Sequence, residues 1–212
     1  MLLTARCPVC RRPDRGVCAR CAADLVAPTR PLRVPHGVDS LEAVLSYEGG
    51  ARAIVAGLKY RNARGGLRSL SAAMAALAVA SAPDVDVVTW VPTSVGRARE
   101  RGFDQAALLA REVAARLGLP CRRLLRREGG PPQTGRSLTE RQVGPLLSAV
   151  KPIHASDVLL VDDVVTTGST MSVASRALRG AGAGRVFGVA AAATPRTLGL
   201  SPAARSGPWT SP

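Results

Sequence analysis

From residue 41 onward the chain alternates between short apolar runs and longer stretches in which apolar residues recur every three or four positions. Residues 41–47 (LEAVLSY), 85–91 (VDVVTWV), 158–161 (VLLV) and 185–192 (RVFGVAAA) have the length and aliphatic character of buried strands. Pro92 ends the second of them. Helical spacing runs through Ile54, Val55 and Leu58 within Gly49–Tyr60, and through Leu67, Leu70, Met74 and Leu77 in the next segment. Residues 103–117 read as an amphipathic helix stopped by Gly118 at a left-handed cap position. Residues 169–179 read as the helix that follows 158–161, and 121–127 (CRRLLRR) as a basic strand candidate. Strands alternating with helices predict an α/β fold, a parallel sheet with right-handed crossovers and flanking helices. This domain is expected over 41–193. The stretch from Ala22 to Ser40 is Pro-rich and reads as a linker, centred on 28–40. The tail from 194 to 212, rich in Pro, Ser, Ala and Gly, is expected to be disordered.

Composition narrows this picture. The 212 residues are 46% hydrophobic but only 3% aromatic, so one α/β core must be built mostly from Ala, Val and Leu. Net charge is +14 with a pI near 11.3, and the only lysines are Lys59 and Lys151. Such a balance attracts polyanions, whether nucleic acid, acidic membrane or pyrophosphate. The arginines are scattered more than striped, and enrichment in Ala, Arg and Gly together fits a general compositional bias, so charge alone assigns no nucleic-acid function. The opening MLLTARCPVC has too short an apolar run for a signal peptide, and no stretch approaches a membrane span. A cytoplasmic protein without membrane insertion is expected.

Four of the five cysteines form two pairs, Cys7-x-x-Cys10 and Cys18-x-x-Cys21. Two such knuckles present four thiolates in the tetrahedral arrangement zinc prefers, and a reducing cytoplasm argues against disulfides. Four thiolates leave no open coordination position, so the zinc would be structural. A small N-terminal four-cysteine zinc finger over 1–27 is the expectation. Cys121 reads as a small buried apolar residue.

The densest chemistry lies at 158–170, VLLVDDVVTTGST. A buried strand ends in two carboxylates, Asp162 and Asp163, and a loop of small hydroxyl-bearing residues with one glycine opens the next helix. Thr166, Thr167, Gly168, Ser169 and Thr170 let a phosphate approach the backbone amides at a helix N-terminus. Paired carboxylates accept hydrogen bonds from two neighbouring sugar hydroxyls. An ATPase strand holding magnesium would also end in acidic residues, but its G-x-x-x-x-G-K-[ST] loop occurs nowhere in the chain. Strand, acidic pair and phosphate loop together describe a pocket for a ribose 5-phosphate. The segment resembles the phosphoribosyl pyrophosphate (PRPP) motif of type I phosphoribosyltransferases, a resemblance that implies the ribose 2′- and 3′-hydroxyls on the acidic pair and the 5-phosphate on the loop.

Three further segments surround this motif. Pro92, Thr93 and Ser94 follow a strand, so their amides should face the carboxyl edge of the sheet, which suits a pyrophosphate. Arg97, Arg99 and Arg101 come next; they either neutralise a pyrophosphate or form a solvated surface. Residues 129–145, GGPPQTGRSLTERQVGP, are polar with Gly and Pro at both ends, as a lid or a plain disordered loop would be. With the cysteine pairs, LKYR at 58–61, VP…R-x-R-G-F-D-Q at 91–105 and PPQTG…ER at 131–141, the chain resembles the ComF (competence protein F) family of phosphoribosyltransferase-like proteins. That family usually has His, Arg and Asn where this chain has Ser94, Gly96 and Asp104, and an Asn near Gly144.

The resemblance implies magnesium-dependent transfer of phosphoribose from PRPP to an acceptor that the sequence does not identify. It gives Asp162 and Asp163 to ribose, 166–170 to the 5-phosphate, Pro92, Thr93, Ser94, Arg99 and Arg101 to pyrophosphate, and Gln133, Thr134 and Arg141 to the lid. It also implies an alternative, a non-catalytic nucleotide- or single-stranded-DNA-binding protein of the DNA-uptake machinery working beside a helicase-like partner.

Overall fold

The computed structural model describes residues 6–58, 64–94, 96, 99–100, 102–128, 146–154 and 156–195. In chain order the elements are α1 (Ala19–Ala23), β1 (Ser40–Ser46), α2 (Gly49–Gly57), α3 (Arg64–Ser81), β2 (Val87–Trp90), α4 (Gln105–Leu117), β3 (Leu125–Arg127), β4 (Leu147–Ala149), β5 (Val158–Val165), α5 (Ser169–Gly180) and β6 (Val186–Ala193). The main sheet has the order β1-β6-β5-β2, and every neighbouring pair is parallel. β3 and β4 make a separate antiparallel pair.

Each face of the sheet is covered, as a parallel sheet requires. On one face Leu45, Val88, Leu159 and Val161 pack against Ile54, Leu70, Met74 and Leu109 of α2, α3 and α4. On the other, Leu41, Val158, Leu160 and Val186 pack against Met171, Ala174 and Leu178 of α5. The helical spacing read at Leu67, Leu70, Met74 and Leu77 is this contact: Leu70 and Met74 are fully buried, and Leu67 and Leu77 sit beside them. Truncating either fully buried side chain to Ala should cost about 2–5 kcal/mol. β6 is buried along its whole length, and its run of alanines lets the neighbouring layers close in.

Two boundaries differ from the sequence reading. β5 does not stop at Val161 but continues to Val165, with Asp162 opposite Ala190 and Val165 opposite Ala193. The ladder joins backbone groups, so two charged side chains at its end do not interrupt it. The 121–127 candidate divides in two. Cys121 forms an isolated parallel bridge to Val88, the Leu124 amide turns to Thr89 Oγ1 at 3.3 Å, and only 125–127 pair as β3. Cys121 is half-buried, with burial pushing its thiol up.

The Pro-rich stretch is anchored on the domain. Leu32 and Val38 are buried against the α5 face of the core. Ser172 Oγ donates to the His36 carbonyl at 2.9 Å, Ser175 Oγ donates to that of Gly37, and Arg179 Nε donates to the same Gly37 oxygen at 2.8 Å. Thr194 likewise remains tied to the sheet, its amide donating to Val165 and its hydroxyl to the Thr166 carbonyl. Residues 196–212 lie outside the described residues. Among the described residues, no helix is long and apolar enough to cross a membrane.

Candidate functional site

β5 delivers Asp162 and Asp163 to the carboxyl edge of the sheet, where ligands of open α/β folds bind. Asp162 is buried, and its Oδ1 accepts from the Asp163 amide at 2.8 Å; Asp163 Oδ1 accepts from the Val164 amide at 2.8 Å. Burial, followed by the negative charges of Asp163 and Asp104, pushes the Asp162 carboxyl well above the usual carboxylate range, against the pull of the Asp163 amide. The acidic pair therefore gains its full charge only at higher pH or beside a cation.

The loop after β5 turns into α5 at Gly168, whose φ of +77° lies in the left-handed region. A Cβ there would also stand 2.6 Å from Pro35 Cγ, so both conformation and space require glycine. Thr167 Oγ1 donates to Ser169 Oγ at 3.0 Å and accepts from the Ser169 amide at 3.3 Å. Among the described residues α5 has no side-chain cap. Its N-terminal amides and the positive end of its dipole are what an anion needs.

Across a cavity of about 240 Å³ from Asp162 and Asp163 stand Pro92 and Thr93 after β2 and Asp104 and Gln105 at the start of α4. Arg127 at the end of β3 completes this wall, and Thr170 of α5 lines it too. Of the residues picked from sequence, Asp162, Asp163, Pro92, Thr93 and Thr170 meet around this cavity. Thr166, Thr167 and Ser169 are exposed on the adjoining loop and Gly168 is buried within it, outside the wall. Ser94 is half-buried and Arg99 is exposed, also outside the wall. Arg101, Gln133, Thr134 and Arg141 lie outside the described residues.

Sequence reasoning did not pick Asp104, Gln105 or Arg127 for the site. Asp104 is the N-cap of α4, its Oδ1 accepting from the amides of Ala106 and Ala107 at 3.1 and 3.3 Å while Oδ2 accepts from Thr93 at 3.0 Å. The sequence reading began this helix at 103 and so put Asp104 inside it; an Asp at a helix start is the cap signal that would have moved the boundary. Arg127 reaches the Pro92 carbonyl at 3.5 Å, but only the β3–β4 pairing brings it there.

At the other end of the chain, Cys7, Cys10, Cys18 and Cys21 bring their sulfurs within 4.8 Å of one another. A tetrahedron with metal–sulfur bonds of about 2.3 Å has edges of roughly 3.8 Å. Cys10 and Cys18 stand 3.7 Å apart, and all five cysteines are free thiols. Burial pushes the Cys7 thiol up, yet the amides of Cys10, Cys18 and Val9 outweigh it and bring the group to about 6. Cys21, with burial and its three sulfur neighbours all acting in one direction, is pushed up to about 12. The cluster rests on the main core through Val9 and Leu25, both close to Gly50 of α2.

A parallel sheet flanked by helices, with an acidic strand end running through a short loop into the next helix, is a phosphoribosyltransferase-like fold. Residues 102–201 match the phosphoribosyl transferase domain. Competence protein ComFC of Bacillus subtilis (strain 168) is 29% identical over 177 residues, which cover 81% of this chain and 70% of ComFC. The chain is thus similar to ComFC over most of its length and carries a match to the phosphoribosyl transferase domain in its second half. Two solved structures are also similar. The glutamine PRPP amidotransferase of B. subtilis, complexed with ADP and GMP, is 25% identical with a TM-score of 0.43 over 65% of this chain and 30% of its own. An allosteric regulatory enzyme of purine biosynthesis is 25% identical with a TM-score of 0.46 over the same shares. The chain thus spans under a third of those enzymes, each matched over 30% of its length.

Proposed function

We propose that this protein binds PRPP, or a related ribose 5-phosphate nucleotide, at the carboxyl edge of β5 and transfers phosphoribose to an acceptor with the help of magnesium. One observation supports the reading: Asp162, Asp163 and the start of α5 belong to a single strand–loop–helix unit, so carboxylates suited to sugar hydroxyls and amides suited to a phosphate are held in fixed relation. Asp162 and Asp163 take the ribose hydroxyls, and Thr166–Thr170 the 5-phosphate. Pro92, Thr93 and Ser94, with Arg99 and Arg101, serve the pyrophosphate, and Gln133, Thr134 and Arg141 the lid. Arg127 joins the pyrophosphate side, being the one cation that lines the cavity among the described residues.

Magnesium would enter with the pyrophosphate, and Asp162 and Asp163, which line the same cavity, offer oxygen ligands of the kind it takes. When bound there, the ion supplies neutralising charge for the departing pyrophosphate. For the rest, the chain must hold the sugar carbon in line, stabilise the charge that leaves and keep water out. The four-cysteine cluster, by its spacing, is proposed to hold one structural zinc. Four free thiols suit a reducing compartment, which supports a cytoplasmic location.

A second reading is favoured by one surface. Arg6, Arg11, Arg12, Arg15 and Arg20 are exposed on the cysteine module, in a chain of net charge +14 related to a competence protein. A non-catalytic protein of the DNA-uptake machinery, binding nucleotide or single-stranded DNA beside a helicase-like partner, would use them. Calorimetry separates the two. PRPP with magnesium should bind the unmodified protein, and Asp163→Asn should weaken that binding about ten- to a hundredfold, one hydrogen bond to a charged group contributing roughly 1.5–3 kcal/mol. No heat from PRPP, with salt-dependent binding of single-stranded DNA, would select the second reading.

A further inference from the structure

The loop after β2 and the start of α4 converge three backbone amides, those of Thr93, Ala106 and Ala107, on one point beside the cavity that Thr93 and Ala106 line. Amides arranged this way, with a helix dipole behind them, form an anion site. In this chain they already have an anion. The carboxylate of Asp104 accepts from all three, with Oδ2 on Thr93 at 3.0 Å and Oδ1 on Ala106 and Ala107 at 3.1 and 3.3 Å. It lines the same cavity as Asp162 and Asp163, so three carboxylates face a space whose one described cation is Arg127.

A pyrophosphate entering that end meets occupied donors and like charge together. At the 5-phosphate end, the start of α5, the Ser169 amide meets the neutral Thr167 hydroxyl at 3.3 Å, and among the described residues no carboxylate caps the helix. The two ends of the cavity therefore differ in what they admit. We propose that Asp104 is the specificity-determining residue of this site: its carboxylate fills the anion subsite beside the β2 loop and makes acceptance of a pyrophosphate group depend on a divalent cation, while the 5-phosphate end carries no carboxylate cap. The inference rests on the phosphoribosyl reading for its second end, but the first end stands on the three hydrogen bonds alone.

Chemistry supplies a clean test. Asn and Ser cap helices as well as Asp does, so Asp104→Asn and Asp104→Ser should keep α4 intact. Neither carries the second carboxylate oxygen on Thr93, and both remove the charge. Unmodified protein and both variants are titrated with inorganic pyrophosphate and, separately, with ribose 5-phosphate, in magnesium-free buffer and with magnesium; thermal melts confirm folding. Without magnesium, both variants should bind pyrophosphate about tenfold or more tightly than the unmodified protein, a gain of at least about 1.4 kcal/mol. The ratio of pyrophosphate to ribose 5-phosphate affinity should rise by a similar factor, and magnesium should shrink the gain. Equal or weaker pyrophosphate binding in both folded variants overturns the role given to Asp104. Failure of every form to bind ribose 5-phosphate overturns the proposed function alone, and the pyrophosphate comparison still decides about Asp104.

Discussion

At the scale of single residues, the site is a set of small acidic and hydroxyl-bearing groups held by short hydrogen bonds to the backbone. Asp162 shows what burial does to such a group. Its carboxyl sits well above the usual carboxylate range, first because it is buried and then because Asp163 and Asp104 are charged nearby. In the window between the ordinary carboxylate value and its own, the folded chain holds a proton that the unfolded chain has lost. Stability from this source is therefore complete at acid pH and declines as pH rises through that window. Asn at this position keeps an oxygen for the Asp163 amide and never ionises. Asp162→Asn should melt close to the unmodified protein at pH 5 and several degrees above it at pH 8, in magnesium-free buffer. Melting curves that stay parallel across that range would contradict the burial argument.

The strand end and its loop were legible as a candidate site because carboxylates suit sugar hydroxyls and small residues let a phosphate approach backbone, and the structure brings Asp162, Asp163 and Thr170 to one cavity. Asp104 was missed as a site residue, since nothing in the linear sequence says that Thr93, eleven positions earlier, donates to its second oxygen. Arg127 was opaque for the same reason, being placed by a strand pair whose partner is twenty or more residues away.

At the scale of elements, hydrophobic spacing carried most of the information. It located α3, α4 and α5 and the four strands of the parallel sheet to within a few residues, because burial on one helix face or both sheet faces writes a period into the chain. It failed where backbone pairing outweighs side-chain character, as in the extension of β5 through its aspartates. It failed also in the Pro-rich stretch, where Leu32 and Val38 are too far apart to form a pattern yet anchor the segment on α5. The four-cysteine module is the element least able to hold itself together by burial. α1 has five residues, below what a helix needs to persist alone, so its order must come from the cluster and from contact with the core. Elemental analysis should find about one zinc per chain, and Cys18→Ser should lose most of it and loosen the module. Metal-free protein whose N-terminal residues stay as protected from hydrogen exchange as those of the unmodified chain would rule the metal out as the organiser.

At the scale of the whole molecule, Pro35 lies against Gly168 while Val9 and Leu25 lie close to Gly50 of α2, so the N-terminal segment and the sheet domain pack as neighbours. The Pro-rich strap passes directly behind the loop proposed to hold the 5-phosphate, and Ser172, Ser175 and Arg179 of α5 all bond to it. The +14 charge gives the molecule a long-range attraction for anions, and the proposed role of Asp104 would add selectivity at short range.

The most direct measurement is a crystal structure of the protein with magnesium and PRPP. The account places the 5-phosphate on the amides at the start of α5, the ribose hydroxyls on Asp162 and Asp163, and a magnesium ion between the pyrophosphate and the carboxylates that line the cavity. Ligand density elsewhere on the molecule, or a cavity left empty at saturating PRPP and magnesium, would contradict it.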